Sequence, residues 1–265
     1  MQNSKNKKTL KDHFRNRKVV FGAWTSLAHP QITEMFATIM RPDFIGIDIE
    51  HSTISQAESQ RIIAAGQSAS VPILPRIASH NGEAIRRLCD SGADGLIVPM
   101  VNTPEEAAQI VNYCKYPPVG KRGFGIARAQ GYGTLFNQYT STWNEESSLI
   151  IQAESIQAVE NIDKLLANEQ VDGVMVGPYD ISGSLGIPGN LSDPKVLKAS
   201  ERVIEACARH GKACGTQITE LPDEEKIKRA IDSGYTMIVL ASDIFLMWHW
   251  SEKMKGIMDH VRECS

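Results

Sequence analysis

The stretch DFIGIDIEHS, residues 43–52, ends an apolar run with ionisable side chains. Asp48, Glu50 and His51 come where a buried strand would finish. An imidazole beside a carboxylate is suited to proton transfer near neutral pH, because the carboxylate sets its tautomer and basicity. We therefore interpret His51 as a candidate base supported by Asp48.

Polar residues also end three later apolar runs. Arg76 ends PILPR, Gln152 and Glu154 end LIIQAE, and Asp180 follows GVMVGP. Two carboxylates suit a hard divalent cation that keeps waters and takes substrate oxygens, so Mg²⁺ or Mn²⁺ is the expected metal. Arg76 supplies a fixed positive charge for a developing oxyanion. Metal, arginine and base together indicate enolate chemistry, which is proton or carbon transfer next to a carbonyl.

Each of these residues also has an ordinary structural explanation. An arginine after a strand is usually a surface ion pair, a histidine is usually the partner of a nearby carboxylate, and an acid that opens a helix is usually a cap. Their shared position at strand ends favours a functional site, because surface charges have no reason to concentrate there.

The elements that position these residues are eight short β-rich runs separated by amphipathic segments. This alternation predicts a single-domain (β/α)8 TIM barrel, in which chemistry lies at the C-terminal ends of the strands. An open doubly wound sheet would want a Gly-rich phosphate loop after its first strand, and FGAWTSLAHP supplies none. The predicted strands are 19–26, 44–50, 71–77, 94–100, 149–154, 173–178, 213–218 and 236–242.

The domain layout has three features besides the barrel itself, which we place at 18–265. Residues 1–17 are predicted to be a basic, solvated and partly helical arm. The connection at about 116–148 is long for a compact domain and suggests a lid, a subunit contact or a solvated insertion. A C-terminal helix is expected at about 243–263. The sequence also contains a weak internal repeat, in which an Asp precedes the apolar run of RPDFIGIDIE, GADGLIVPM and QVDGVMVGP.

Bulk properties exclude several classes of protein. The 265 residues carry a formal net charge of −3, so no broad attraction to nucleic acid or anionic membrane is expected. No apolar run approaches the ~20 residues of a membrane span. The five cysteines are odd in number and lack CxxC spacing, which fits a reducing cytoplasm better than a disulfide framework.

Several segments resemble one family in order and spacing: GIDIEHS, PILPRI, GADGLIVPMV, GKRGFG, IIQAES and VDGVMVGPYDIS. The chain is similar to the HpcH/HpaI aldolases, the metal-dependent class II pyruvate aldolases, over about residues 18–242. The resemblance implies an enzyme, a lyase that reversibly cleaves a 4-hydroxy-2-oxo acid to pyruvate and an aldehyde through a pyruvate enolate. It implies a divalent metal cofactor, Mg²⁺ or Mn²⁺ with Co²⁺ possible.

The resemblance also implies a role for each site residue. Metal binding falls to Glu154 and Asp180, and the pyruvate keto oxygen and enolate to Arg76. His51 matches the acid/base histidine, with Asp48 and Asp90 as its carboxylate support. The substrate-binding residues, besides Arg76, are Gln152, Gly177, Pro178 and Tyr179.

Two positions depart from the family pattern. Tyr179 stands where a small residue is frequent, and Ile49 where Gly is usual. Because Tyr179 lies beside a metal ligand, it is expected to narrow the site or to add a hydroxyl contact.

The resemblance further implies a homo-oligomer, a hexamer built as a trimer of dimers, in which the last helix packs on a neighbouring copy. Two other functions remain open: a CoA-thioester lyase of the malyl-CoA or citrate lyase β-subunit type, and a non-catalytic keto-acid-binding barrel. No lysine ends a predicted strand at the proposed site, which weighs against a Schiff-base aldolase. The sequence does not identify the aldehyde, the physiological metal or the pathway.

Overall fold

The computed structural model describes residues 9–264, apart from the side chain of Ala241. Eight parallel strands form a closed barrel in which each strand pairs with the next and β8 pairs with β1. The predicted (β/α)8 barrel is therefore confirmed. The strands are β1 (Val20–Thr25), β2 (Phe44–Asp48), β3 (Ile73–Arg76), β4 (Gly95–Val98), β5 (Ser148–Ala153), β6 (Gly173–Val176), β7 (Ala213–Gln217) and β8 (Met237–Ser242).

Helices connect the strands and cover the outside of the barrel. Within the described residues, none is long and apolar enough to cross a membrane. The helices are α1 (Leu10–Arg15), α2 (Pro30–Met35) with the π-helical turn Phe36–Met40, α3 (Gln56–Ser68), α4 (Gly82–Asp90), α5 (Pro104–Cys114), the 3-10 turn Gly131–Gly133, α6 (Phe136–Glu146), α7 (Ile156–Glu160), α8 (Ile162–Leu166), α9 (Pro178–Ser184), α10 (Pro194–Arg209), α11 (Glu224–Asp232) and α12 (Asp243–Cys264).

Helix α1 packs on the barrel through one face, although Asp12 and Arg15 remain exposed. Phe14 is fully buried at the N-terminal end of the barrel, with its ring centroid 6.2 Å from that of Phe44. Lys11 is also buried, and its ammonium group donates to the carbonyl of Asn144 at 2.8 Å. The expectation of a solvated arm is wrong for this helix, because its apolar face closes the barrel. Residues 1–8 lie outside the described residues.

The barrel interior is filled by large side chains that require glycines opposite them. A Cβ atom on Gly46 would lie 2.3 Å from the Trp24 ring, so only glycine leaves room for this indole. Trp24 is thereby held inside the barrel near its C-terminal end. The interior cluster comprises Phe14, Val20, Trp24, Phe44, Leu74, Ile97, Ile150, Met175, Ala213, Met237 and Val239.

The weak internal repeat, an Asp before an apolar run, has a structural basis at the N-terminal end of the barrel. In three strand pairs, an Asp just before the even-numbered strand accepts a hydrogen bond from a backbone N–H at the start of the preceding odd-numbered strand. In the fourth pair a Thr hydroxyl takes the same position. The acceptor and donor residues are Asp43 and Phe21 (2.8 Å), Asp94 and Ile73 (2.8 Å), Asp172 and Leu149 (2.9 Å), and Thr236 and Cys214 (3.1 Å).

The long connection between β4 and β5 lies at the N-terminal end of the barrel. It leaves α5 at Cys114 and enters β5 at Ser148, and it contains α6. Arg122 anchors it as a buried guanidinium, with its Cζ 4.6 Å from the Tyr116 ring centroid and 4.9 Å from that of Trp143. The active sites of such barrels lie at the opposite, C-terminal end of the strands, which we call the mouth of the barrel. This connection therefore cannot act as a lid over the mouth of its own chain.

Candidate active site

Arg76 and Asp48 form the centre of the site where β2 and β3 end. They are paired residues in the register of the two strands. Arg76 Nη2 lies 2.7 Å from Asp48 Oδ2 and its Nε lies 3.1 Å from Oδ1, which is a bidentate geometry. The guanidinium also lies 5.1 Å from the Trp24 ring centroid, a cation–π distance. Carboxylate and indole together fix the plane of the guanidinium.

His51 projects from the same end of the barrel, and its ring lies nearest to Glu50. Its side chain is 70% exposed, with Nε2 3.7 Å from Glu50 Oε2. Asp48 Oδ1 accepts a hydrogen bond from the backbone N–H of His51 at 3.0 Å. In this chain Asp48 therefore positions the His51 backbone, while Glu50 is the carboxylate beside the imidazole.

Glu50 also links His51 to Arg76. Its Oε2 lies 3.4 Å from Arg76 Nε. Burial raises the pKa of Glu50 above its ordinary value, although the charges of Arg76 and His51 oppose the shift. A carboxyl that lies between a guanidinium and an imidazole is suited to holding both in place.

Asp90 is not brought to His51 within the chain. It ends α4, a helix that runs from the C-terminal end of β3 back to the N-terminal end of β4. Its Oδ1 lies 2.6 Å from Nη2 of the buried Arg122, whose segment covers that end of the barrel. One chain thus has His51 and Asp90 at opposite ends of the barrel.

Glu154 is held by two hydrogen bonds at the end of β5. Gln152 Nε2 donates to Oε1 at 2.8 Å, and the backbone N–H of Met100 donates to Oε2 at 2.9 Å. Met100 has a positive φ of 53°, an unusual conformation for a residue other than glycine that directs its N–H at the carboxylate. A Cβ atom on Gly177 would lie 2.6 Å from Glu154 Cγ, so the backbone there passes against this side chain.

The electrostatics around Glu154 fit a bound cation. Burial raises the pKa of Glu154 to about 7, and the negative charges of Asp180 and Glu50 reinforce the shift against the N–H of Met100. Gln152 Oε1 is buried without a hydrogen-bond partner. A divalent ion near Glu154 and Asp180 would compensate the carboxylates and could engage this amide oxygen.

The donor set is small. No group of three or more His, Cys, Asp or Glu side chains suited to metal binding occurs in residues 9–264. A metal held by Glu154 and Asp180 would therefore take its other ligands from water or substrate, as Mg²⁺ commonly does. The residues present fit such an ion.

A cavity of about 750 Å³ lies at the other end of the barrel, between α1 and the long connection. Three charged residues of its lining already hold the fold: Asp43 and Asp94 accept backbone N–H groups, and Arg128 donates to Gln67 and to the Ser91 carbonyl. The carboxylates, arginine and histidine suited to enolate chemistry lie at the mouth instead.

Three residues at the mouth received no role in the sequence analysis. Trp24 and Met100 act through a ring face and a backbone N–H, for which side-chain type gives no signal. Glu50 did carry a signal, because it lies in the same strand end as Asp48 and His51. Its contact with both Arg76 and His51 depends on how the chain turns after β2.

Known proteins are similar in sequence to this chain over most of its length. The HpcH/HpaI aldolase/citrate lyase family model matches residues 20–249. A 5-keto-4-deoxy-D-glucarate aldolase of Citrobacter koseri is 33% identical over 241 residues, which cover 90% of this chain and 91% of that protein. A hydroxypyruvate/pyruvate aldolase of Roseobacter denitrificans is 34% identical over 242 residues, with coverages of 90% and 92%.

A solved structure agrees with these matches. An HpcH/HpaI aldolase/citrate lyase family protein from Burkholderia cenocepacia superposes with a TM-score of 0.87 at 27% identity, covering 96% of this chain and 98% of that one. Family model, relatives and fold point the same way. The chain belongs to the HpcH/HpaI aldolase/citrate lyase family and is an enzyme of its aldolase type, a carbon–carbon lyase.

Proposed function

We propose that the protein is a divalent-metal-dependent aldolase that reversibly cleaves a 4-hydroxy-2-oxo acid to pyruvate and an aldehyde through a pyruvate enolate. The observation that carries the proposal is the set of Arg76, Glu154 and Asp180 at the C-terminal ends of β3, β5 and β6. Mg²⁺ or Mn²⁺ fits the two carboxylates, with Co²⁺ as a further candidate. When bound, the ion would supply positive charge at the keto oxygen.

Arg76 is proposed to hold the keto oxygen and to share the enolate charge. Asp48 takes the Nε and Nη2 edge of the guanidinium, which leaves Nη1 for a substrate oxygen. Because the Trp24 face and Asp48 fix the guanidinium before substrate arrives, little reorganisation is needed as charge develops. Gln152 lies beside Glu154 and is proposed to contact the keto acid.

The substrate carboxylate is proposed to bind the turn formed by Gly177, Pro178 and Tyr179, ahead of Asp180. Gly177 is the N-cap residue of α9. Because glycine has no side chain, it does not compete with a substrate carboxylate for the first N–H groups of this helix. Tyr179 belongs to this turn and is 60% exposed. We propose that it contacts the part of the substrate that extends beyond the keto acid.

His51 is proposed to move the proton of the 4-hydroxyl, through a water molecule. Asp48 positions its backbone, and Glu50 lies beside its ring. Asp90 can support His51 only from another copy of the chain, because it lies at the far end of its own barrel. This role of Asp90 requires an oligomer, and we propose a hexamer built as a trimer of dimers.

The alternative functions are less well supported. A CoA-thioester lyase needs basic side chains to meet the phosphates of the nucleotide tail. In the described chain, none of the eight five-residue segments that follow the strands contains Lys or Arg. A non-catalytic keto-acid-binding barrel would not need His51 beside the fixed Arg76. We also propose a cytoplasmic location, since all five cysteines are free thiols.

The test is deuterium exchange into the methyl group of pyruvate, followed by NMR. Exchange requires the enolate but no aldehyde. We expect exchange that is lost after chelation and restored by Mg²⁺, Mn²⁺ or Co²⁺. Exchange that persists in metal-free protein would contradict the metal-dependent mechanism. A lack of exchange under all conditions would contradict the proposed pyruvate aldolase activity.

A further inference from the structure

One peptide group at the mouth is held from both sides. The carbonyl of Pro99 and the N–H of Met100 belong to the same planar trans unit, so they point in opposite directions. The N–H donates to Glu154 Oε2 at 2.9 Å, and the carbonyl oxygen lies 2.6 Å from His80 Nε2. His80 and Glu154 therefore contact opposite edges of one peptide plane.

His80 is the donor in its contact with this peptide. A carbonyl oxygen can only accept a hydrogen bond, so Nε2 of the imidazole carries the proton. The half-buried side chain lies in the connection after β3, directly before Asn81, the N-cap of α4. Because Asn81 Oδ1 accepts the backbone N–H groups of Glu83 and Ala84, the backbone next to His80 is fixed at the start of the helix.

Met100 has a backbone conformation that its own side chain does little to hold. Its φ of 53° is left-handed, and its side chain is 44% exposed, so packing gives the turn little support. Conformations of this kind persist where surrounding contacts determine them. Besides Glu154, two side chains supply such contacts: His80 at the Pro99 carbonyl, and Asn102, whose Nδ2 donates to the Met100 carbonyl at 3.0 Å.

The direction of the Pro99–Met100 peptide determines what Glu154 meets. In the observed direction, the N–H holds Oε2 of the carboxylate. If the peptide rotated by half a turn, the carbonyl oxygen would face the carboxylate instead, and two acceptors cannot form a hydrogen bond. The contact from His80 opposes this rotation, because it holds the carbonyl on the side away from Glu154.

We propose that His80 is a positioning residue of the metal site, which fixes the Glu154 carboxylate through the Pro99–Met100 peptide. The contacts cross three consecutive strand ends, since His80 follows β3, the peptide follows β4 and Glu154 follows β5. This inference rests on the proposed metal-dependent aldolase function and adds a residue to its metal site.

The test is the affinity for Mn²⁺, measured by calorimetric titration of the metal-free protein. His80→Phe keeps a planar ring but removes the donor, and we expect the affinity to fall by about tenfold, as for other groups that orient a metal ligand. His80→Gln is the conservative variant, because its amide nitrogen can donate and has nearly the reach of Nε2 from the Cβ atom. We expect it to retain an affinity within about threefold of that of the parent protein.

His249→Phe is the matched control at the mouth. His249 Nε2 also lies 3.0 Å from a backbone carbonyl, that of Thr219, which follows β7. Strands β5 and β7 are not neighbours in the barrel, so this contact should leave the position of Glu154 unchanged. An equal loss of affinity in His80→Phe and His249→Phe would overturn the proposal, because any altered contact at the mouth would then have the same effect.

Amide hydrogen exchange at Met100 provides a second readout that needs no metal. In the metal-free protein, this N–H should exchange faster in His80→Phe than in the parent protein or in His80→Gln, because its bond to Glu154 opens more often. Mass spectrometry with residue resolution measures the rate. Unchanged exchange in His80→Phe, or an affinity that His80→Gln does not preserve, would overturn the role of His80.

The parent protein separates this inference from the function on which it rests. If the parent protein and His80→Phe bind Mn²⁺ equally well, the role of His80 is overturned and the metal-dependent function stands. If the parent protein binds no divalent metal, the proposed metal-dependent function is itself overturned.

Discussion

Arg76 and His51 are assigned different parts of the reaction, and their variants should separate them. Arg76→Lys keeps the charge but loses the planar fork that Asp48 and Trp24 hold. We expect a fall of about a hundredfold or more both in aldol cleavage and in oxaloacetate decarboxylation, because both need the enolate.

His51→Ala should suppress aldol cleavage far more than oxaloacetate decarboxylation, because decarboxylation involves no hydroxyl proton.

The measurement is the ratio of the two activities in each variant. A ratio left unchanged by His51→Ala would contradict the role of this residue as the hydroxyl base. Glu50→Gln and Asp48→Asn provide a further comparison, because only Glu50 lies beside the His51 ring. Glu50→Gln should alter the ratio, whereas Asp48→Asn weakens the bidentate partner of Arg76 and should lower both activities.

Glu154 makes metal affinity depend on pH. Its pKa is raised from 4.5 to about 7 in the folded chain without metal. Below about pH 7 the carboxyl carries a proton that a metal must displace, so Mn²⁺ affinity should rise with pH and level off above 7. Calorimetric titration between about pH 5.5 and 8 would measure this, and a pH-independent affinity would contradict it.

The same shift has a consequence for stability. Because the folded-state pKa lies above the ordinary value, the contribution of this group is fully present below about pH 4.5 and is lost as pH rises through about 7. The metal-free protein should therefore gain stability from Glu154→Gln above pH 7 but not at pH 5. Thermal unfolding of the two metal-free proteins at both pH values is the comparison.

At the scale of elements, the start of α9 and the end of β5 depend on each other. Gly177→Ala would place a methyl group against Glu154 and displace its carboxylate. We expect Mn²⁺ affinity to fall by about tenfold or more, as for groups that orient a metal ligand. Gly183→Ala is the control within the same helix, because a Cβ there meets nothing within 4 Å. An unchanged affinity in Gly177→Ala would contradict this dependence.

The strands were predictable from the sequence, whereas several contacts between elements were not. Buried parallel strands are nearly continuous apolar runs, so their order and the polar residues at their ends could be found without a structure. Asp90 shows the limit of this reasoning. Its sequence position does not tell that α4 carries it to the far end of the barrel, against Arg122.

The turn after β4 shows a second limit. Met100 contributes a backbone N–H whose direction depends on a left-handed conformation, and Met is not a residue typical of that conformation. Side-chain chemistry therefore could not identify it as a partner of Glu154.

At the scale of the whole molecule, α12 has an exposed apolar surface that supports assembly. The helix is 22 residues long, and Met247, Trp248 and Trp250 are each more than half exposed. We expect Trp248→Glu to lower the molar mass measured by light scattering after size exclusion. Glu252→Lys, on the same helix, should leave the mass unchanged. A mass that Trp248→Glu does not alter would contradict a role of this surface in the oligomer.

The four hydrogen bonds accepted by Asp43, Asp94, Asp172 and Thr236 have a consequence for how the chain folds. Each closes a loop of nearly the same length, because donor and acceptor are 21 to 23 residues apart. Loops of this size cost little more entropy to close than shorter ones, and contacts local in sequence favour rapid folding. Each strand–helix–strand unit thus has its own stabilising hydrogen bond between its two strands. A barrel whose first and last strands are far apart in sequence can therefore be assembled from four preformed strand pairs.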